Sequence, residues 1–248
     1  MAGERIRRFS HPMVPPMISL RRAADRGHTR QRWLDSHHSF SFARYYDPEH
    51  TGFHCLRVLN DELLAAGHGY EPHPHKNMEI LLYVVDGELH HADSLGCDRV
   101  LGRGEIRCLS AGTGVTHSEI NHRQDGPCRL VQAWFEPLRD DLAPCGGDLR
   151  VDPDFDGSHL WVVASPDGRD GTVQLNQEAF VFVGRLRRGE RLKHFLDPGR
   201  AAWLQILRGR VNLNHKHLEA GDGAALEDLT RIEVMGETDA ELLLFDLP

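Results

Sequence analysis

The sequence predicts an all-β protein built from two related β-domains in tandem. From Ile18 onward, short apolar runs are separated by Gly and Asp turns, with few helical stretches between them. Many short strands joined by regular turns are typical of a β-sandwich or barrel. The chain has 248 residues, which is enough for two small domains that each bury a core.

Residues 1–16 contain three arginines and three prolines without periodicity, which predicts a flexible N-terminal extension. No apolar stretch follows the arginines, so this segment does not resemble a secretory signal. We assign the N-terminal domain to residues 17–145 and the C-terminal domain to residues 146–248. The boundary falls within residues 137–157, a stretch rich in Asp, Pro and Gly that predicts a linker.

A strand-like run at residues 80–85 is the clearest element of the first domain. Asp86-Gly87 follows it, and a second run occupies residues 88–92. An Asp-Gly pair between two such runs predicts a hairpin with a type I′ turn, because that turn needs positive φ at both central residues. Further strands are predicted at residues 106–109, 115–120 and 130–135.

The second half repeats this plan. Arg208-Gly209 separates two strand-like runs as the Asp-Gly pair does in the first half, and residues 217–222 are similar to residues 100–105. The repeat favours two copies of one β-domain over a single large domain.

Charge and cysteine content argue against several classes of function. With 29 Lys and Arg against 37 Asp and Glu, the formal net charge is -8, so direct nucleic-acid binding is not expected. No apolar run approaches the ~20 residues that cross a bilayer, so no membrane role is expected. The five cysteines form no C-x-x-C pair, which argues against a disulfide framework and a zinc knuckle. We therefore expect a cytoplasmic protein.

Two pairs of residues with i, i+2 spacing carry the chemistry. His73 and His75 point to one face of a strand, and so do His117 and Glu119. The pairs are far enough apart in sequence for two hairpins to bring them together. Three imidazole nitrogens and one carboxylate suit a divalent first-row metal and leave open coordination positions. Glu79 shares the strand parity of His73 and His75, so spacing alone leaves two candidates for the carboxylate.

Spacing is the criterion for ligands here, because the chain contains 17 histidines. His215 and His217 also have i, i+2 spacing, but they lie at a predicted turn. Counting without gaps from the landmarks of the repeat places Asp197, Val234 and Gly236 at the ligand positions of the second domain. We therefore expect no metal ligands in the C-terminal domain.

At the metal-site residues the sequence resembles a known family. Gly67-x5-His73-x-His75-x3-Glu79-x7-Gly87 is similar to the first cupin motif. The second motif is matched by Gly104-x5-Ser110-x-Gly112-x4-His117-x3-Asn121, with Ser110 where many cupins have Pro. Nearly the whole chain resembles pirin, and more closely the bacterial pirin-like quercetin 2,3-dioxygenases, through Trp33-Leu34-Asp35-Ser36, Phe40-Ser41-Phe42, Tyr45-Tyr46-Asp47-Pro48, His73-Pro74-His75-Lys76 and Ser110-Ala111-Gly112-Thr113-Gly114.

This resemblance implies a bicupin, that is, two tandem cupin (jelly-roll) β-barrels. It implies one divalent metal ion in the N-terminal barrel, held by residues that match His73, His75, His117 and Glu119. Glu79 then lies outside the ligand set. The metal of the family is usually iron, so Fe(II) is expected here, with Ni, Co, Mn, Cu or Zn as alternatives.

The resemblance also implies an activity. A metal-dependent dioxygenase of this kind opens the heterocycle of flavonols such as quercetin with dioxygen and releases carbon monoxide. Glu119 is the candidate general base, and Glu79 is the alternative. Two other functions stay open: an iron-binding pirin-like regulator that docks onto a transcription factor, and a cupin enzyme for another small enol or diketone. His37 and Asn77 differ from the residues that close relatives tend to have, which bears on the pocket rim and on substrate preference. His37 and His38 could line the mouth of the pocket.

Overall fold

The computed structural model describes residues 17–152 and 157–248, so the predicted flexible extension at residues 1–16 lies outside the described residues. Among the described residues, no helix has the length and apolar character needed to cross a membrane. Two short 3-10 helices occur at Ala23–Asp25 and Arg169–Gly171. The described residues also form 22 strands, in chain order β1 (Met17–Arg21), β2 (Gly27–Arg30), β3 (Leu34–His38), β4 (Leu56–Leu64), β5 (His68–His75), β6 (Glu79–Asp86), β7 (Glu88–Asp93), β8 (Asp98–Gly102), β9 (Glu105–Ser110), β10 (Val115–Asn121), β11 (Cys128–Phe135), β12 (Cys145–Arg150), β13 (His159–Ser165), β14 (Val173–Gln174), β15 (Phe180–Leu186), β16 (Arg191–Phe195), β17 (Ala201–Arg208), β18 (Arg210–Leu213), β19 (Lys216–Glu219), β20 (Gly223–Glu227), β21 (Arg231–Gly236) and β22 (Ala240–Leu247).

These strands form four sheets, which confirms the all-β prediction. In the first half, a seven-stranded sheet in the order β12-β9-β6-β11-β4-β3-β2 packs with a four-stranded sheet, β5-β10-β7-β8. In the second half, the sheet β1-β20-β17-β22-β15-β13-β14 packs in the same way with β16-β21-β18-β19. Apolar side chains from both sheets of each half form a separate core. The chain thus folds as two tandem β-barrels of one design.

Strand β6 shows how the two barrels are joined. Ile80 packs in the core of the first barrel, whereas Leu81 and Tyr83 pack against the second half, because successive side chains of a strand point to opposite faces. Burial of both faces explains why this strand reads as an unbroken apolar run. Across the junction, the Tyr83 hydroxyl donates a hydrogen bond to Glu241. The backs of the two seven-stranded sheets therefore share one core.

The predicted hairpin at Asp86-Gly87 is wrong. Strands β6 and β7 lie in different sheets and do not pair with each other. The chain crosses between the sheets at Gly87, where φ is 81° and a Cβ would lie 2.6 Å from the carbonyl oxygen of Pro127. Gly209 makes the same crossing between β17 and β18, with a φ of 77°. The internal repeat is present, but the repeated feature is a corner between sheets.

Two strands link the halves across the predicted domain boundary. Strand β1, at the start of the predicted N-terminal domain, pairs with β20 in the second half. Strand β12 lies within the predicted linker and pairs with β9 in the first half. The assignment of domains to residues 17–145 and 146–248 stays a prediction. Each half contributes one strand to a sheet of the other half across this boundary: β1 to the second half and β12 to the first.

Candidate metal centre

Three histidines converge inside the first barrel. His73 and His75 lie on β5, and His117 lies on β10, where it pairs in register with His73. Pro74 separates the first two without interrupting the strand, so their imidazoles lie on the same side, as i, i+2 spacing predicts. One ring nitrogen of each histidine lies within 4.8 Å of the others, and the ring centroids are 4.5 to 4.9 Å apart.

Glu119 joins this cluster through His117. Strand β10 pairs regularly with β7 from His117 to Glu119, and its register shift against β5 comes from an extra residue in β5. The Nδ1 atom of His117 lies 3.2 Å from Oε1 of Glu119, and both side chains are buried. His91 completes a second group with them. His117 therefore belongs to both groups: it lies with His73 and His75 in one, and with His91 and Glu119 in the other.

Several buried polar atoms of the cluster have no hydrogen-bond partner: Nε2 of His75, both ring nitrogens of His117, and Oε1 of Glu119. In His73, Nδ1 donates to the carbonyl oxygen of Glu71 at 2.8 Å, which leaves the lone pair of Nε2 for another partner. Buried polar atoms are rarely unpaired in native proteins, and a divalent cation would satisfy these lone pairs. The residues present fit a bound first-row metal ion.

Burial sets the protonation of the cluster. Desolvation, together with the neighbouring imidazoles of His73 and His75, lowers the pKa of His117 to about 2. Desolvation and His73 lower the pKa of His75 to about 4, so both rings are neutral at pH 7 and keep the lone pairs that a metal needs. Burial, with the nearby charge of Glu62, raises the pKa of Glu119 to about 8. A bound cation would oppose this last shift, because it favours the carboxylate.

Comparison with known proteins identifies the family. Residues 19–135 match the sequence profile of pirin, and residues 162–247 match that of the quercetinase C-terminal cupin domain. The chain is 41% identical over 232 residues to quercetin 2,3-dioxygenase of Escherichia coli strain K12. The aligned region covers 94% of this chain and 99% of that protein. The chain belongs to the pirin family.

Solved structures support the same membership. The crystal structure of YhhW from Escherichia coli matches with a TM-score of 0.89 and 41% identity, covering 94% of this chain and 98% of that one. The nickel(II) complex of bacterial pirin YhhW matches with a TM-score of 0.89 and 40% identity, covering 94% and 99%. Among sequence relatives, a pirin-like protein of Caulobacter vibrioides is 36% identical to this chain, and the alignment covers 86% of this chain and 92% of that protein. The predicted pirin membership and bicupin fold are confirmed.

In this member of the pirin family, Glu79 does not lie on the strand of the histidine pair. Strand β5 ends at His75, Asn77 has a φ of 50°, and Glu79 begins β6. The Glu79 carboxylate accepts hydrogen bonds from the Ser110 hydroxyl at 2.6 Å and from the backbone N–H of Asn176 at 3.0 Å. The predicted strand parity of Glu79 is wrong because the chain turns before it, and its contacts tie the two halves of the pirin fold together.

A second buried carboxyl group, Glu62, was not found by the sequence analysis. Gln132 connects it to the cluster, because Nε2 of Gln132 donates to Oε2 of Glu119 at 2.7 Å and to Oε2 of Glu62 at 3.3 Å. Burial raises the pKa of Glu62 to about 7. Glu62 and Gln132 are polar residues at buried positions of largely apolar strands, and this pattern could have marked them as candidate site residues. Glu62 accepts further hydrogen bonds from the side chains of Ser36, Asn60 and Tyr70.

Replacing Gln132 by Leu is expected to lower the free energy of unfolding of the metal-free protein by about 1–3 kcal/mol, the cost of an unsatisfied buried acceptor. The substitution roughly keeps the volume but removes the donor that Glu62 and Glu119 share. Urea denaturation followed by tryptophan fluorescence measures the change. Gln124→Leu, at an exposed position, is the control. Equal losses of stability in the two variants would contradict the role of Gln132.

Other histidines singled out by the sequence have different partners. His38 is buried, and its Nδ1 lies 2.8 Å from Oδ1 of Asn60. His37, the next residue back along β3, points to the opposite face, so the pair cannot line one pocket mouth together. His217 is exposed in the second half, where it pairs with Glu237.

In the second barrel, the strand pair that matches β5 and β10 carries mostly apolar side chains toward the interior. Strands β16 and β21 pair as β5 and β10 do, and their register sets Leu192 against Val234 and His194 against Ile232. His194 lies 2.7 Å from a carboxylate oxygen of Asp246, so it is already partnered. Within residues 17–152 and 157–248, the groups of His, Cys, Asp or Glu close enough to hold a metal all lie in the first half.

We therefore predict one tightly held metal ion per chain. As far as the described residues show, histidines that converge inside a barrel beside a buried carboxyl group occur only in the first barrel. Protein saturated with Fe(II) or Ni(II) and then desalted should retain one equivalent in elemental analysis. Retention of two tightly bound ions would count against this prediction.

Proposed function

We propose that this chain is a metal-dependent dioxygenase that opens the heterocycle of flavonols such as quercetin and releases carbon monoxide. The observation that carries the proposal is the convergence of three histidines beside Glu119, in which buried nitrogens of His75 and His117 and one Glu119 oxygen lack hydrogen-bond partners. The name of the Escherichia coli relative, quercetin 2,3-dioxygenase, supports the same reaction.

In this proposal His73, His75, His117 and Glu119 hold one divalent ion, which we propose to be Fe(II). When bound, the ion supplies Lewis acidity toward the 3-hydroxyl and 4-carbonyl oxygens of a flavonol, together with open coordination positions. Ni, Co, Mn, Cu and Zn accept the same nitrogen and oxygen donors. The nickel(II) complex of YhhW supports nickel as the first alternative.

Glu119 is the proposed general base. Gln132 anchors Oε2 of Glu119, so Oε1 is the oxygen that lies against His117 and the cluster. A bound cation would keep Glu119 in its carboxylate form, and this oxygen would then take the proton of the flavonol 3-hydroxyl. Loss of that proton raises the electron density of the ring carbon that dioxygen attacks.

Aromatic side chains beside the cluster suit a planar polyphenol. The Trp134 ring meets His75 edge-on with centroids 4.8 Å apart, and Phe42 meets Trp134 at 5.4 Å. The Tyr70 ring lies near His73, with centroids 5.9 Å apart. Aromatic rings with a few placed polar groups are typical of a small-molecule site, so these residues supply stacking area beside the reacting oxygens.

The test is oxygen consumption and carbon monoxide release with quercetin, for protein loaded separately with each candidate metal. Turnover that disappears in His73→Ala, with an unchanged circular dichroism spectrum, would support the proposal. Simple diketones serve as comparison substrates, and faster turnover on a diketone than on any flavonol would favour another cupin reaction. No oxygen consumption with any metal or substrate would overturn the enzyme proposal and favour a regulator that docks onto a transcription factor.

A further inference from the structure

A second group of potential metal ligands lies on the β2–β3 hairpin. His28 and His37 are direct partners in the register of these strands, and Asp35 lies two residues before His37 on the same face. The two imidazole rings stack with centroids 4.4 Å apart and an angle of 4° between their planes. The side chains remain 43%, 45% and 33% exposed for His28, His37 and Asp35, so solvent reaches all three.

The ligand atoms of this group converge on a single oxygen. Nε2 of His28 lies 2.8 Å from Oδ1 of Asp35, and Nε2 of His37 lies 3.5 Å from the same oxygen. The longer distance is too great for a good hydrogen bond, so Asp35 does not satisfy both rings at once. Arg30 approaches the other carboxylate oxygen, Oδ2, at 3.7 Å and leaves Oδ1 to the histidines.

We propose that His28, Asp35 and His37 form a second, solvent-accessible site for a divalent ion of the Ni²⁺, Cu²⁺ and Zn²⁺ class. Two imidazole nitrogens and one carboxylate oxygen are donors that these ions prefer, whereas Mg²⁺ and Ca²⁺ favour sites made of oxygen alone. Three protein ligands on an exposed face leave the remaining positions to water. The ion is therefore exchangeable, in contrast to the buried ion predicted for the barrel.

The new site is separated from the cluster in the barrel by the strand that carries it. Ser36 and His38 alternate with Asp35 and His37 along β3 and point inward, where Ser36 donates to Glu62. The proposed ion would bridge β2, the last strand of its sheet, to β3. Binding to the folded chain alone stabilises that fold, so the ion should also raise the melting temperature.

The experiment is equilibrium dialysis against Ni²⁺ of a full-length variant, His75→Ala combined with His117→Ala, that lacks the barrel site. We expect one Ni²⁺ per chain, and a further His28→Ala or His37→Ala change should weaken binding by at least about 10-fold, since losing even a partner of a ligand costs about 10–100-fold. His68→Ala, at an exposed histidine, is the matched control and should leave binding unchanged. Mg²⁺ in excess should not compete.

A second measurement keeps the test valid if the background variant does not fold. The unsubstituted protein, desalted with its tight ion in place, is titrated with Ni²⁺ and followed by calorimetry and thermal melting. One additional equivalent and a higher melting temperature, both lost in His28→Ala/His37→Ala, would support the site. Equal Ni²⁺ binding by that double variant and by His68→Ala would overturn it, whichever metal occupies the barrel.

Discussion

Replacing His75 by Ala should abolish metal retention by the barrel, whereas replacing His217 by Ala should leave the tight ion in place. His75 shares a strand face with His73, and its buried Nε2 lacks any other partner. His217 is exposed in the second half and already pairs with Glu237. Elemental analysis after desalting measures the result, with the parent protein treated in parallel.

The same samples should lose flavonol turnover in proportion to the metal they lose. A circular dichroism spectrum identical to that of the parent would show that the His75→Ala variant folds. Stoichiometric metal in the desalted variant would count decisively against the site.

Glu119→Gln should lower flavonol turnover by roughly 10²–10⁴-fold, the usual contribution of a general base. The new side chain keeps the shape but has one oxygen in place of two. That oxygen can accept the hydrogen bond from Gln132 or turn toward His117, but it cannot do both. Metal affinity should therefore fall as well, by ~10–100-fold as for other perturbed metal surroundings, so turnover is expressed per bound metal.

The pH dependence separates the two roles of Glu119. The defect should shrink at alkaline pH, where the flavonol 3-hydroxyl ionises without a base. Glu79→Gln is the matched control, because that buried carboxylate bonds Ser110 and Asn176 and not the cluster. Turnover near the parent level at neutral pH, with metal still bound, would show that Glu119 is not the base.

The local patterns of the sequence predicted the all-β fold, and they singled out three histidines that the structure brings together. An i, i+2 pair specifies a strand face without knowledge of the rest of the chain, and β10 is regular from His117 to Glu119, so the two side chains lie together. The Asp-Gly signal marked a real turn, but nothing local to Gly87 tells which sheet receives the next strand. Gln132 and Glu62 belong to no motif, since their link depends on β4 and β11, which are distant in sequence, lying side by side in one sheet.

Strand β1 has a consequence for the order in which the chain is made. It leaves the ribosome early, yet its partner β20 is among the last strands to be synthesised. Pairings between distant segments form slowly, so the nascent chain carries β1 unpaired while most of the protein is translated. The sheets of the first barrel, by contrast, are complete once β12 has emerged. We expect the metal-binding half to be an early folding unit, able to take up its ion on a chain whose second half is still unfinished.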